Sequence, residues 1–208
     1  MALSSGAPRP RVSVIIATSR GGPFLTEALA SLAAQTYPDV EAVLVDDGSE
    51  HPEQIASVVH LFPAVHLVRQ HGAGPSVARN TGVQHTTGEL IAFLDDDDRW
   101  HPDRLRQQVD ALAESDAVAS YCGMRTIDAA GSELVAADQH QADDIHDVLR
   151  RRVGIILPNL MIRRDTFVRI GGFHPAFRLA EDLDLVMKAA LEGRFVFVGA
   201  TLVDYRHH

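Results

Sequence analysis

Short apolar, β-branched runs alternate along this chain with segments whose apolar residues recur every three or four positions. That alternation is the pattern of a mostly parallel sheet flanked by helices. VSVIIA (residues 12–17) reads as the first strand and ends at a Gly-Gly-Pro break. Beyond the break, Leu25, Ala28, Leu29 and Leu32 fall on one face of a helix with Pro23 in its first turn. VEAVLV (40–45), VHLV (65–68) and ELIAFL (89–94) read as the second, third and fourth strands. Between the last two, GAGPSVARNTGV is a Gly-rich turn leading into a helix over about 77–83. Pro102 then starts a helix whose buried stripe is Leu105, Val109, Leu112 and Ala113.

The second half has a different grain. AVASYCGMRTID, the turn AAGS and ELVA predict an antiparallel hairpin, and the polar residues 137–147 a mobile loop or short helix. IILPNLMIR carries Pro158 inside an apolar run, which predicts an edge strand or a bulge. A helix over 181–191 ends at Gly193, with Leu183, Val186, Met187, Ala190 and Leu191 as its core stripe. That phase sets Asp182 and Asp184 beside the apolar face and turns Glu181 away. FVFVGA is a final strand, and neither an internal repeat nor a low-complexity tract interrupts the series.

Composition narrows the picture. At 208 residues the chain reads as one α/β domain, and 46% hydrophobic with 23% charged residues is ordinary for a globular protein. The net charge of −9 speaks against a general nucleic-acid binder. No apolar run approaches the roughly 18 residues of a membrane span, and the opening MALSSGAPRPR reads as a flexible leader over 1–11 and not as a signal peptide. Cys122 is the only cysteine, which excludes an intrachain disulfide and a thiolate metal site and favours a reducing, cytoplasmic setting.

Candidate chemistry gathers where strands end, because ligands of open α/β sheets sit outside the carboxyl ends of the strands. Asp95, Asp96, Asp97 and Asp98 follow a buried strand directly. Like carboxylates at close quarters raise one another's pKa, and a divalent cation such as Mn²⁺ or Mg²⁺, which prefers hard oxygen ligands, relieves that conflict. Capping of the next helix could employ Asp98 but gives no reason for four. Asp46 and Asp47 either form an Asp-Gly turn with Gly48 or accept hydrogen bonds from a base or ribose. Arg79 is either a charge near phosphates or a surface ion-pair partner. Gly72 and Gly74 would allow backbone to approach a phosphate, without the lysine of a P-loop. Acids opening the late helix are stabilised by its dipole, and one beside an apolar face could also serve as a general base.

Taken in order, VSVIIATSR, VLVDDGS, GPSVARNTGV, GELIAFLDDDDRWHPDRL, RRDTFVRIGGFHPAF, RLAEDLDLVMKAALEG and VDYRHH resemble the family 2 glycosyltransferases of the GT-A fold, over nearly all of 12–208. The resemblance implies a single GT-A, Rossmann-like domain with a small antiparallel acceptor-side sheet, 12–100 forming the nucleotide-binding half and 101–208 the acceptor-side half. It implies metal-dependent, inverting transfer from a nucleotide diphosphate sugar, usually UDP-linked, to an acceptor hydroxyl. Ala17 and Thr18 would lie under the base, Asp46 would contact uracil or ribose with Asp47 beside it, and Arg79 would lie by the diphosphate. The D-x-D motif falls on Asp95, Asp96 and Asp97, with Asp95 toward ribose and Asp97 on the metal; a further Asp, Asp96, fills the variable slot. Asp182 would be the base, and His207, in a tail completed by His208, a further metal ligand. The chain departs from the family at Ala17 and Ser19, where a proline and an aromatic residue are usual. The acceptor would be a saccharide, a lipid-linked or a small molecule over the second half, with 137–147 as its lid and room for peripheral membrane contact. A sugar-nucleotide-binding module without turnover and a nucleotidyltransferase are the alternatives; for the latter, Ser19-Arg20-Gly21-Gly22 is a faint phosphate-loop match.

Overall fold

The computed structural model describes residues 9–207, so most of the expected leader, residues 1–8, and His208 lie outside the described residues. The chain runs β1 (Val12–Thr18), α1 (Leu25–Ala33), β2 (Val40–Asp47), α2 (Pro52–His60), β3 (Val65–Gln70), α3 (Pro75–Gln84) and β4 (Leu90–Asp95). It continues through β5 (Arg99–Trp100), α4 (Arg104–Ala113), β6 (Ala119–Ile127), β7 (Glu133–Val135), α5 (Ile145–Leu149) and a 3-10 turn, Leu157–Asn159. Then come β8 (Leu160–Arg163), α6 (Arg164–Arg169), α7 (Glu181–Glu192) and β9 (Phe195–Arg206).

One nine-stranded sheet has the order β3-β2-β1-β4-β8-β6-β9-β5, with β7 paired to β6. β1 pairs in parallel with both β2 and β4, whereas β8 runs antiparallel between β4 and β6. The expected antiparallel strands thus extend the parallel half. β1 and β4 are apolar on both faces because each face is covered. Val14, Ile16, Ala92 and Leu94 join the core under α1, α2 and α4, while Ile15, Ile91 and Phe93 join the one under α6 and α7.

Leu25, Ala28, Leu29 and Leu32 are the buried face of α1, as their spacing predicts, with Pro23 in the turn ahead of it. In α4, Leu105, Val109 and Leu112 are buried, but Ala113 is exposed and Arg104 and Gln108 are buried instead. The Arg104 guanidinium lies 3.7 Å from the centre of the Trp100 ring and donates to Leu160 O at 3.0 Å, which is how a cation enters this core. β8 is central and not an edge strand. Pro158 sits in the 3-10 turn before it, so the ladder never needs the missing amide. α2, absent from the sequence reading, has only Ile55 and Val59 buried.

Two further expectations are corrected. The buried stripe of α7 is Leu185, Val186, Ala189 and Ala190, and Leu191 is 71% exposed. The helix is therefore rotated from the expected phase, and Glu181 turns into the molecule. Residues 137–144 are pinned rather than lid-like: Gln139 Oε1 accepts from Met124 N at 2.7 Å, and Gln141 bonds Phe195 O and Phe197 N. No helix of the described residues is long and apolar enough to cross a membrane.

Candidate functional site

The parallel registers bring the sequence-predicted residues together. Thr18 stands opposite Asp46, Ala17 opposite Asp95, and Asp47 opposite Gln70. Four parallel strands, β1 to β4, thus deliver their carboxyl ends to one edge. The turns beyond them touch: a Cβ at Gly48, whose φ is +75°, would lie 2.5 Å from Gly72 N, so glycine is required where these two backbones meet.

Asp46 and Asp47 do different things there. Asp46, its side chain 2% exposed, accepts from Ser49 N at 2.8 Å and Ser49 Oγ at 2.9 Å, closing its own turn, with Arg69 Nε at 3.7 Å. Asp47 accepts from Gln70 Nε2 at 2.7 Å and from Ala73 N and Gly74 N at 2.8 Å each. It ties the end of β2 to the start of α3. Asp47, Ala17, Thr18, Ser19, Gly74 and Arg178 line a cleft of about 360 Å³ at this edge. A larger hollow of about 560 Å³, between α5, α7 and the start of β9, holds none of the predicted site residues.

The acidic segment follows β4. Arg79 Nη2 donates to Asp95 Oδ1 at 2.9 Å, and Thr18 Oγ1 donates to Asp96. Burial, with Asp97 and Asp95 adding repulsion, pushes the Asp96 carboxyl up despite the Thr18 bond. Asp98 is fully buried and accepts from Arg206 N at 2.8 Å; burial and then Asp95 push its carboxyl up to about 9. The Arg206 side chain, 1% exposed, fastens this loop to the rest of the domain. It donates to Asp97 O at 2.8 Å, Ala129 O at 2.8 Å and Glu27 Oε2 at 2.8 Å.

α7 starts against the same edge. Arg79 Nη1 donates to Glu181 Oε1 at 2.7 Å, so Glu181 belongs to the site. Asp182 Oδ1 accepts from Leu183 N at 2.7 Å, and Asp184 pairs with Lys188 at 2.8 Å. The pKa of the Tyr205 hydroxyl is raised, first by burial and then by the negative charge of Asp98, Asp95, Asp97 and Asp182. His207 donates its backbone amide to Ile127 O at 2.9 Å and keeps an exposed side chain.

Among the described residues, no three His, Cys, Asp or Glu side chains gather closely enough to hold a metal ion by themselves. The donor set nonetheless fits a hard divalent cation, because the carboxylates of 95–97 supply oxygen donors and repel one another. Mg²⁺ and Mn²⁺ sites commonly take one or two carboxylates and fill the rest with water and substrate phosphates. Sequence reasoning missed the bridging role of Arg79 to Glu181, the buried Arg206 and the wall formed by Arg178. It quoted Tyr205 in the VDYRHH tail without assigning it a place.

Residues 13–182 match the family described as Glycosyl transferase family 2, and the chain belongs to that family. It is 27% identical over 211 residues to an uncharacterized glycosyltransferase of Rickettsia typhi, covering 96% of this chain and 64% of that protein. It is also 27% identical over 193 residues to the succinoglycan biosynthesis protein ExoW of Rhizobium meliloti, covering 88% of this chain and 60% of that one. The chain thus spans about three-fifths of these relatives. In structure it is similar to S. aureus TarS 1–349 in complex with UDP-GlcNAc, with a TM-score of 0.80 at 21% identity over 95% of this chain and 59% of that one. It is similar as well to the mannosyltransferase PcManGT from Pyrobaculum calidifontis in complex with GDP-Man and Mn²⁺, with a TM-score of 0.72 at 26% identity over 92% and 55%. The fold is the GT-A fold.

Proposed function

We propose that this domain transfers a sugar from a nucleotide diphosphate sugar to an acceptor hydroxyl, with inversion at the anomeric carbon and with Mn²⁺ or Mg²⁺ at the diphosphate. The observation that carries this reading is the convergence of two separate acidic groups, the 95–97 segment through Asp95 and the Glu181–Asp182 pair through Glu181, on Arg79. Transfer needs two such places, one where the departing diphosphate gathers charge and one where the attacking hydroxyl sheds its proton.

In this reading the nucleoside lies in the cleft on Ala17, Thr18 and Asp47. Asp46 holds the turn beneath it through its Ser49 bonds, and its remaining lone pairs can accept from base or ribose. Asp95 stands toward the ribose with Asp96 behind it, Asp97 and His207 hold the cation, and Arg79 stands by the diphosphate while fixing Asp95 and Glu181. The cation, when bound, supplies charge stabilisation on the diphosphate without a proton donor. Asp182 accepts the proton of the acceptor hydroxyl as its oxygen bonds to the anomeric carbon and the bond from that carbon to the diphosphate oxygen breaks. The diphosphate leaves with the electron pair.

UDP is the first nucleotide to test, given the UDP-GlcNAc complex of TarS, and GDP the second, given the GDP-Man complex of PcManGT. The acceptor is a saccharide, a lipid-linked or a small molecule, and a single cysteine, which can form no intrachain disulfide, fits a cytoplasmic setting. A panel of nucleotide sugars, each with MnCl2 and with EDTA, tests the reading by thermal shift, since a ligand of the native state raises its Tm. At least one should raise Tm in MnCl2 and much less in EDTA. No rise with any member would overturn the reading.

A further inference from the structure

Of the arginines at this edge, Arg69 stands 3.7 Å from Asp46, and Arg79 has no charge left to offer. Arg79 is 11% exposed in its side chain, with one guanidinium nitrogen on Asp95 and the other on Glu181. A diphosphate approaching it meets a cation already matched by two carboxylates. The surroundings add Asp96, Asp97 and Asp182, so a dianionic group needs a positive contact beyond the metal.

Arg178 lines the cleft together with Ala17, Thr18, Asp47 and Gly74. Among the described residues it has no hydrogen-bond or ion-pair partner. Its place is nonetheless fixed, because α3 grips the loop that carries it at two points. Asn80 donates to Phe173 O at 2.8 Å and accepts from Phe173 N at 3.1 Å, and Ser76 Oγ donates to Phe177 O at 2.6 Å. Ser76 and Asn80 are one helical turn apart, on one face of α3. Gly74 completes the seat: a Cβ there would lie 3.4 Å from Arg178 Nη1 and 3.6 Å from its Cζ, so the guanidinium rests close against bare backbone. A planar fork of donors, held beside a cleft and lacking any acceptor, is suited to phosphate oxygens.

We propose that Arg178, not Arg79, makes the direct guanidinium contact to the diphosphate of the donor, and that Arg79 is a positioning residue that holds Asp95 and Glu181. This rests on the proposed donor site.

The test is titration of parent, Arg178→Gln and Arg178→Lys with UDP, GDP, ADP, CDP and dTDP in MnCl2, and with the nucleoside of whichever diphosphate binds. Arg178 is exposed and unpartnered, so both variants should keep the parent Tm. Arg178→Gln should bind the diphosphate about tenfold or more weakly, with nucleoside affinity within about twofold of the parent. Arg178→Lys should recover part of the loss. Unchanged diphosphate affinity in Arg178→Gln, with the parent binding, would overturn the assignment of Arg178 and leave the donor site standing. Equal weakening toward diphosphate and nucleoside would also overturn it, by placing Arg178 at the nucleoside. A parent that binds no nucleoside diphosphate would overturn the donor site and this inference together.

Discussion

Arg79 donates to Glu181 at 2.7 Å while its other nitrogen reaches Asp95 at 2.9 Å, so a single guanidinium joins the end of β4 to the start of α7. The pair spans 102 positions of sequence and closes the domain over its own site. Breaking a buried ion pair by removing one partner leaves the other charge uncompensated, at a cost of roughly 3–5 kcal/mol. Arg79→Met should therefore lower Tm by roughly 6–20 °C in calorimetry. Glu181→Gln keeps an acceptor for Arg79 and should lose much less. Equal losses, or an unchanged Tm in Arg79→Met, would contradict the bridge.

Asp182 is expected to act in chemistry rather than in donor binding. Asp182→Asn keeps the volume and the bond to Leu183 N while removing the proton acceptor. Transfer should fall by about 10²–10⁴-fold, with donor affinity within a few-fold of the parent. Asp184→Asn is the control, since Asp184 faces Lys188. Near-parent turnover in Asp182→Asn would contradict the assignment and favour a different base.

Far from the site, Glu41 staples the lower ends of the strands. It accepts from Thr87 N at 2.6 Å, Gly88 N at 2.7 Å and Ser13 Oγ at 2.8 Å. Burial opposes its charge, yet these donors hold the carboxyl below its usual range. A depressed carboxyl stabilises the fold above its unfolded pKa, near 4.3, and that stabilisation is lost as pH falls through the folded pKa. The Tm gap between parent and Glu41→Gln should be several degrees at pH 7 and narrow as the pH falls below about 4.3. A gap constant across that range would contradict the charge-dependent role.

Gly82→Ala sets two effects against each other. Alanine favours a helix over glycine by about 1 kcal/mol. A Cβ at Gly82 would, however, lie 2.5 Å from Ile15 Cγ2, a branch fixed on β1, and overpacking costs about 1–3 kcal/mol. Packing should win and Tm should fall. A rise in Tm would show that α3 can shift off the sheet without loss.

The fold was legible where burial follows one period. The first four strands and the face of α1 are read correctly because each has a continuous apolar pattern that its neighbours require. The pattern misleads where a polar group is buried or an apolar one exposed. Leu191 lies outside the core, which put the expected face of α7 out of phase and turned Glu181 the wrong way. Arg104 and Arg206 are buried cations, and an arginine in sequence carries no mark of the ring or carbonyls that will receive it. Pro158 signalled an edge because the sequence does not show that it falls in the turn ahead of β8. Of the site, the acids were legible as clusters at strand ends. Arg178 was not, because its place depends on Ser76 and Asn80 gripping a loop about a hundred residues away.

The most direct measurement is isothermal titration of the full chain with UDP, and with GDP, in MnCl2 and again in EDTA. Self-repelling carboxylates at 95–97 beside a nucleoside cleft predict tight, metal-dependent binding of at least one of the two, with affinity falling at least about tenfold in EDTA. Equal affinity with and without the metal would contradict the assignment of Asp97 and its neighbours, and binding of neither nucleotide under either condition would contradict the donor site itself.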